Sequence, residues 1–78
     1  MSSAQRAEKT VDRIRRGALP APTAHTQLVA DGDGQPCDGC GETIRPSETA
    51  CTVSVERALD WRFHEVCYDA WLSFRHPT

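Results

Sequence analysis

Cys37, Cys40, His64 and Cys67 fall into two short arms, Cys37-Asp38-Gly39-Cys40 and His64-Glu65-Val66-Cys67. Three thiolates and one imidazole are a standard donor set for a structural zinc ion, which takes four ligands in a tetrahedron. Two residues between the members of a pair let both side chains reach one ion from a tight turn or from the first turn of a helix. Gly39 and Gly41 favour the turn at the first arm. Glycine reaches positive φ without a Cβ clash, so the backbone can fold round a metal and aim its N–H groups at the thiolates. On a helix, His64 and Cys67 share a face. A single Cys-x-x-Cys would be compatible with cysteines buried as small hydrophobes. Two arms, with glycines at the first, point instead to one Zn2+ held by Cys37, Cys40, His64 and Cys67.

Cys51 is the remaining cysteine, and an all-cysteine site with Cys51 in place of His64 is the competing set. Cys51 lies in the alternating run Cys51-Thr52-Val53-Ser54-Val55, on the side of the two valines, which is a core position. His25 and His76 stand outside both arms and are expected to be solvated.

The elements around the arms follow from periodicity. Residues 3–16 read as a short helix capped by Ser2 or Ser3, with Ala4, Ala7, Val11 and Ile14 on one side and Gly17 as its stop. Residues 1–17 are thus a short amphipathic segment, marginal on its own at this length. Arg13, Arg15 and Arg16 read as a solvated charged face. Residues 18–35 read as a flexible linker, marked by Pro20, Pro22 and the run Asp31-Gly32-Asp33-Gly34. Asp31, Asp33 and Glu42 have the first, third and twelfth places of a calcium loop. Pro36 stands where that loop needs glycine, which excludes it.

Residues 36–76 form the zinc-binding domain. After the first arm, a short strand is expected through Thr43–Arg45, a turn at Pro46-Ser47-Glu48, and a strand over 50–56 with Cys51, Val53 and Val55 inward. A turn near Arg57–Asp60 returns the chain through Trp61-Arg62-Phe63. A helix from Glu65 to Arg75 closes the domain, with His64, Cys67, Trp71 and Phe74 on one face. The expected fold is a small α+β zinc-stabilised domain: zinc knuckle, β-hairpin and C-terminal α-helix, preceded by the short N-terminal helix and the linker. The two aromatics belong to the core, because so small a domain has little else to bury. At 78 residues a core alone is marginal and a metal supplements it.

Net charge is −2. Residues 1–34 carry five Lys/Arg and four Asp/Glu, whereas residues 35–78 carry four Arg and seven Asp/Glu. The acidic second part weighs against nucleic acid as the partner of the zinc domain. Met1 to Thr10 is polar, without the apolar core of an export signal, and no apolar run approaches a bilayer span. The expectation is a cytoplasmic protein with no membrane association, in which cysteines serve a metal rather than disulfides.

The outline Cys37-x-x-Cys40, then 23 residues, then Phe63-His64-x-x-Cys67-Tyr68 resembles the first zinc module of a LIM domain. More broadly it is similar to the treble-clef zinc fingers, and it also looks like small uncharacterised bacterial zinc-binding proteins with the same Cys-x-x-Cys … His-x-x-Cys-x-x-x-Trp pattern. The resemblance covers about residues 36–75. A full LIM domain continues into a second cysteine-rich module, and here no cysteine follows Cys67. The likeness implies a zinc knuckle, a hairpin and a helix whose first turn gives the last ligands. It does not imply a role, since the group spans protein-binding, nucleic-acid-binding and catalytic members.

The residues favour a structural zinc module acting as an adaptor or regulator through contact with another protein, with the exposed edge of the hairpin as one docking surface and a homodimer through the N-terminal segment as a further option. The alternatives are nucleic-acid binding through Arg6, Lys9, Arg13, Arg15 and Arg16, or a thiol redox or zinc-release switch at Cys37 and Cys40. Catalysis is not expected. Four protein ligands leave no open position for water, and no Ser/His/Asp or paired-carboxylate arrangement stands out.

Overall fold

A computed structural model describes residues 2–55 and 60–74. The chain is a small α+β fold: helix α1 (Ser3–Arg15), strands β1 (His25–Asp31), β2 (Thr49–Val55) and β3 (Asp60–His64), and helix α2 (Glu65–Ser73). The strands form one antiparallel sheet in the order β1-β2-β3.

Ser2 caps α1 in a reciprocal box with Gln5. At the other end Gly17, at φ 80°, donates to the Ile14 carbonyl and Ala18 donates to that of Arg13, which satisfies the last carbonyls of the helix. The buried side takes in Ala7, Val11 and Ile14 of the expected apolar stripe and adds polar residues to it. Thr10 and Ile14 are buried and Arg6, Ala7, Val11 and Arg13 half-buried, while Ala4 is exposed. Polar side chains beside the apolar ones also reach the rest of the domain, and α1 packs against α2.

The largest departure from expectation lies in residues 18–35. The linker reading fails at 25–31, which pair along their whole length with β2, from His25↔Val55 to Asp31↔Thr49. What precedes β1 is tied down as well. Leu19 is buried, and the carbonyl of Pro20 accepts the indole N–H of buried Trp71 at 2.8 Å. His25 is not a free solvated ring. Its Nδ1 donates to the Thr23 carbonyl at 2.6 Å, which leaves Nε2 to accept from the Tyr68 hydroxyl at 2.9 Å, and its ring stands edge-on to Trp71 at 4.9 Å. Thr43–Arg45 makes a single bridge, Pro36↔Thr43, rather than a strand.

The hairpin of β2 and β3 has the register Cys51↔Phe63 and Val53↔Trp61, so these four share one face. Cys51, Val53 and Phe63 are buried there, with Trp61 and Val55 packed partly against them. The α2 face closes over this surface. Trp71 stacks on Phe63 at 5.9 Å, and Cys67, Tyr68 and Trp71 are buried. The helix ends at Ser73, and Phe74 turns out of it into extended backbone while staying in the core. The expected turn at 57–60 lies mostly, and the readings of Glu56, Arg75 and His76 wholly, outside the described residues. Among the described residues, no helix is long and apolar enough to cross a membrane.

Candidate metal centre

The chain brings Cys37, Cys40, His64 and Cys67 together, all buried, with one donor atom from each lying within 4.8 Å of all the others. Cys51 is buried on β2 outside this group, where its thiol faces the Gln27 side chain at 3.9 Å. Burial pushes the Cys51 thiol up, which keeps it protonated.

The first arm is a tight knuckle. Cys37 N–H donates to the Glu42 carbonyl at 2.8 Å and Gly41 N–H returns to the Cys37 carbonyl at 2.9 Å. Gly41 sits at φ 84°, a region costly for a residue with a Cβ. Gly39 is needed for a different reason. A Cβ there would run into the Thr10 hydroxyl and lie 2.9 Å from the Cys67 Cβ. The knuckle is sewn to β3 by Asp38, whose N–H donates to the Arg62 carbonyl at 2.7 Å and whose carboxylate accepts from the Arg62 N–H at 2.8 Å. The second arm is the junction of β3 and α2. His64 is the last strand residue and the N-cap, and Cys67 lies in the first helical turn, where the helix dipole favours a thiolate.

The electrostatics suit anionic sulfur. The Sγ of Cys37 accepts N–H groups from Gly39 and His64, each at 3.3 Å. A hydrogen bond from the Cys67 thiol, joined by the backbone N–H groups of Cys40, His64 and Gly39, brings Cys37 down to about 4 against the opposing effect of burial. That same bond, with burial, pushes Cys67 up, and burial pushes Cys40 up. A cation among these sulfurs would hold them as thiolates. In a tetrahedral zinc site with sulfur at 2.3 Å, the edges between donors are ~3.8 Å. The Cys40 Sγ to His64 Nδ1 separation of 3.3 Å and the 4.8 Å limit on the whole set suit such an ion.

Around the four lies a polar shell that the sequence did not disclose. The Nε2 of His64 is buried without a hydrogen-bond partner and lies 3.5 Å from the Glu48 carboxylate. Glu48 accepts from the Arg45 N–H at 2.9 Å and from the Arg6 guanidinium at 3.1 Å. The Arg45 bond, ahead of the Arg6 pairing, holds the Glu48 carboxyl below its usual range. Arg6 also reaches Glu42 at 3.3 Å, and Arg13 donates to the Asp38 carbonyl at 2.9 Å. Fully buried Thr10 donates to the Arg6 carbonyl at 2.9 Å. Arg6, Thr10 and Arg13, at helical spacings of four and three, are the polar seam of α1; that spacing was the available signal, hidden because apolar residues define the expected face.

Comparison with protein-family models, with curated proteins and with solved structures finds no match for this chain. The functional reading therefore rests on the site itself, a buried group of three cysteines and one histidine that could hold a metal ion.

Proposed function

We propose that the ion is Zn2+ and that the module is a structural adaptor or regulator that docks another protein. The buried quartet carries this reading. Four protein donors complete a tetrahedron and leave no open position for water, as suits structural rather than catalytic zinc. On this reading the knuckle, hairpin and helix form half of a LIM-like treble clef, working in a reducing cytoplasm.

The docking surface is the outer edge of β1. On the far side of the sheet, Asp38 covers β3 through its paired bonds to Arg62. The outer edge of β1 pairs with no strand among the described residues, and its exposed Leu28 and Val29 stand at 68% and 56%. The strand holds no proline, lysine or bulge of the kind that blunts an edge. An extended segment of another protein would add as a fourth strand, with main-chain bonds for affinity and the two apolar side chains for preference. Nucleic acid is a weaker partner here, since Arg6, Arg13 and Arg16 are already bonded within the fold.

Native mass spectrometry of the protein purified under mild reducing conditions tests the metal half of the proposal. One zinc per chain, lost on substitution of Cys40 or Cys67 by serine, is expected. A metal-free chain lighter by two hydrogens would replace it with a Cys37–Cys40 redox switch. Leu28→Lys and Val29→Lys test the other half: zinc and fold should persist while partner binding is lost.

A further inference from the structure

The metal reading leaves the buried Nε2 of His64 without an explanation. His64 is 2% exposed, its Nδ1 faces the Cys40 sulfur at 3.3 Å, and its Nε2 has no hydrogen-bond partner. A neutral imidazole carries a single N–H. If Nδ1 gives its lone pair to a metal, the proton must sit on Nε2, inside the protein. A buried N–H without an acceptor is destabilising. The Glu48 carboxylate, 3.5 Å away, is placed to take that proton's hydrogen bond.

Glu48 is itself held from two directions. The Arg45 N–H fixes one oxygen, at 2.9 Å, and this is the oxygen that faces His64. The Arg6 guanidinium fixes the other, at 3.1 Å. Arg6 belongs to α1, which lies more than thirty positions away from the Arg45–Glu48 turn it touches and supplies no donor to the quartet. It is half-buried, so its charge faces Glu48 and Glu42 partly out of water.

We propose that Glu48 is the positioning residue that fixes His64 as an Nδ1 ligand, and that Arg6 makes helix α1 a determinant of how tightly the metal is held. This rests on the metal reading above. The chain Arg6–Glu48–His64 is a carboxylate–histidine–metal relay with a cation behind the carboxylate. Loosening α1 would free Glu48 to turn away, and the imidazole would lose the acceptor that sets its tautomer. The first helix then tunes metal retention without touching the ion.

The test uses the full-length zinc-loaded protein and two readouts. Zinc affinity is measured by competition with a chromophoric chelator. The tautomer of His64 is read from its ring nitrogens in a long-range proton–nitrogen NMR spectrum. In the wild type the Nε2–H signal should appear, with Nδ1 shifted by the metal; a proton on Nδ1 overturns the proposal. Glu48→Ala should weaken zinc about 10- to 100-fold and speed exchange of the Nε2 proton. Glu48→Gln, which keeps an acceptor oxygen, should recover part of the loss. Arg6→Met should weaken zinc several-fold with the quartet intact, whereas Asp69→Asn, on the exposed side of α2, should change nothing. Wild-type affinity in Glu48→Ala and Arg6→Met, with the Nε2 proton exchanging as in the wild type, overturns the proposal and leaves the metal module standing. A wild-type chain that binds no zinc overturns both.

Discussion

The guanidinium of Arg13 donates to the carbonyl of Asp38 at 2.9 Å, so α1 is fastened to the loop that carries the first two ligands. A carbonyl between two cysteines of the quartet is an exacting partner. Its peptide is already fixed by the knuckle and by the Asp38 bonds to Arg62, so the arginine must come to it.

Removing that side chain should loosen the helix before it loosens the metal. Arg13→Met keeps most of the stem and deletes the donor. A hydrogen bond from a charged group contributes about 1.5–3 kcal/mol. The expected loss is at the lower end, since Arg13 is only half-buried. Urea unfolding of the zinc-loaded protein should show the loss in its midpoint, and hydrogen exchange should quicken first in α1. Exchange that quickens equally in β2 and α1 would contradict a local role.

Gly39 tests the same junction from the other side. An alanine methyl would collide with the Thr10 hydroxyl and press on the Cys67 Cβ at 2.9 Å and the Phe63 ring at 3.2 Å. Overpacking of this kind costs about 1–3 kcal/mol. Gly39→Ala should lower the melting temperature, and Thr10→Ala on that background should restore only part of it, because the Cys67 contact remains. The measurement is a double-mutant cycle by thermal unfolding, and strict additivity would show that the two sites do not meet.

Cys51 should prove separable from the metal. Its thiol is buried on β2, outside the quartet. Cys51→Ala should keep one zinc per chain and lose about 1 kcal/mol for the atom removed from the core. Serine substitution at Cys40 or Cys67 should lose the zinc itself. Metal analysis and chemical denaturation of the three variants distinguish a core cysteine from a ligand, and zinc loss in Cys51→Ala would return Cys51 to the site.

These contacts also show what a sequence can and cannot disclose. The two arms that bring the quartet together, the inward side of β2 and the α2 face from His64 to Trp71 were legible because each is a local spacing, set by a turn, an alternation or a helical period. The strand β1 was not. It lies at the sheet edge with six of its seven residues exposed, so burial never imprints an alternation on it, and flanking prolines and glycines make it read as linker. The polar part of the buried side of α1 was missed for a related reason. Apolar periodicity finds helix faces that pack on apolar neighbours, but α1 packs partly on a knuckle rich in carbonyls and carboxylates, which selects Arg6, Thr10 and Arg13. His25 was read as solvated because its partners, Tyr68 and Trp71, lie over forty positions away.

Metal removal should undo more than the site. Ligation in zinc-finger peptides contributes an apparent ~10–16 kcal/mol, which matches or exceeds the ~5–15 kcal/mol that holds a typical domain together. Here the quartet joins the knuckle, the end of β3 and the first turn of α2, and α1 docks on those parts through Arg6, Thr10 and Arg13. A tight chelator should therefore collapse the dispersed NMR spectrum of the hairpin and α2 and release α1 in the same transition, with recovery on adding one equivalent of zinc. Acid should act in the same direction, because protons compete for the thiolates and the imidazole, so the zinc concentration needed for half-folding should rise as pH falls. A dispersed, cooperative spectrum that survives with metal content verified as nil would mean that Phe63, Trp71 and the three-stranded sheet hold the fold unaided, and that the quartet serves some purpose other than stability.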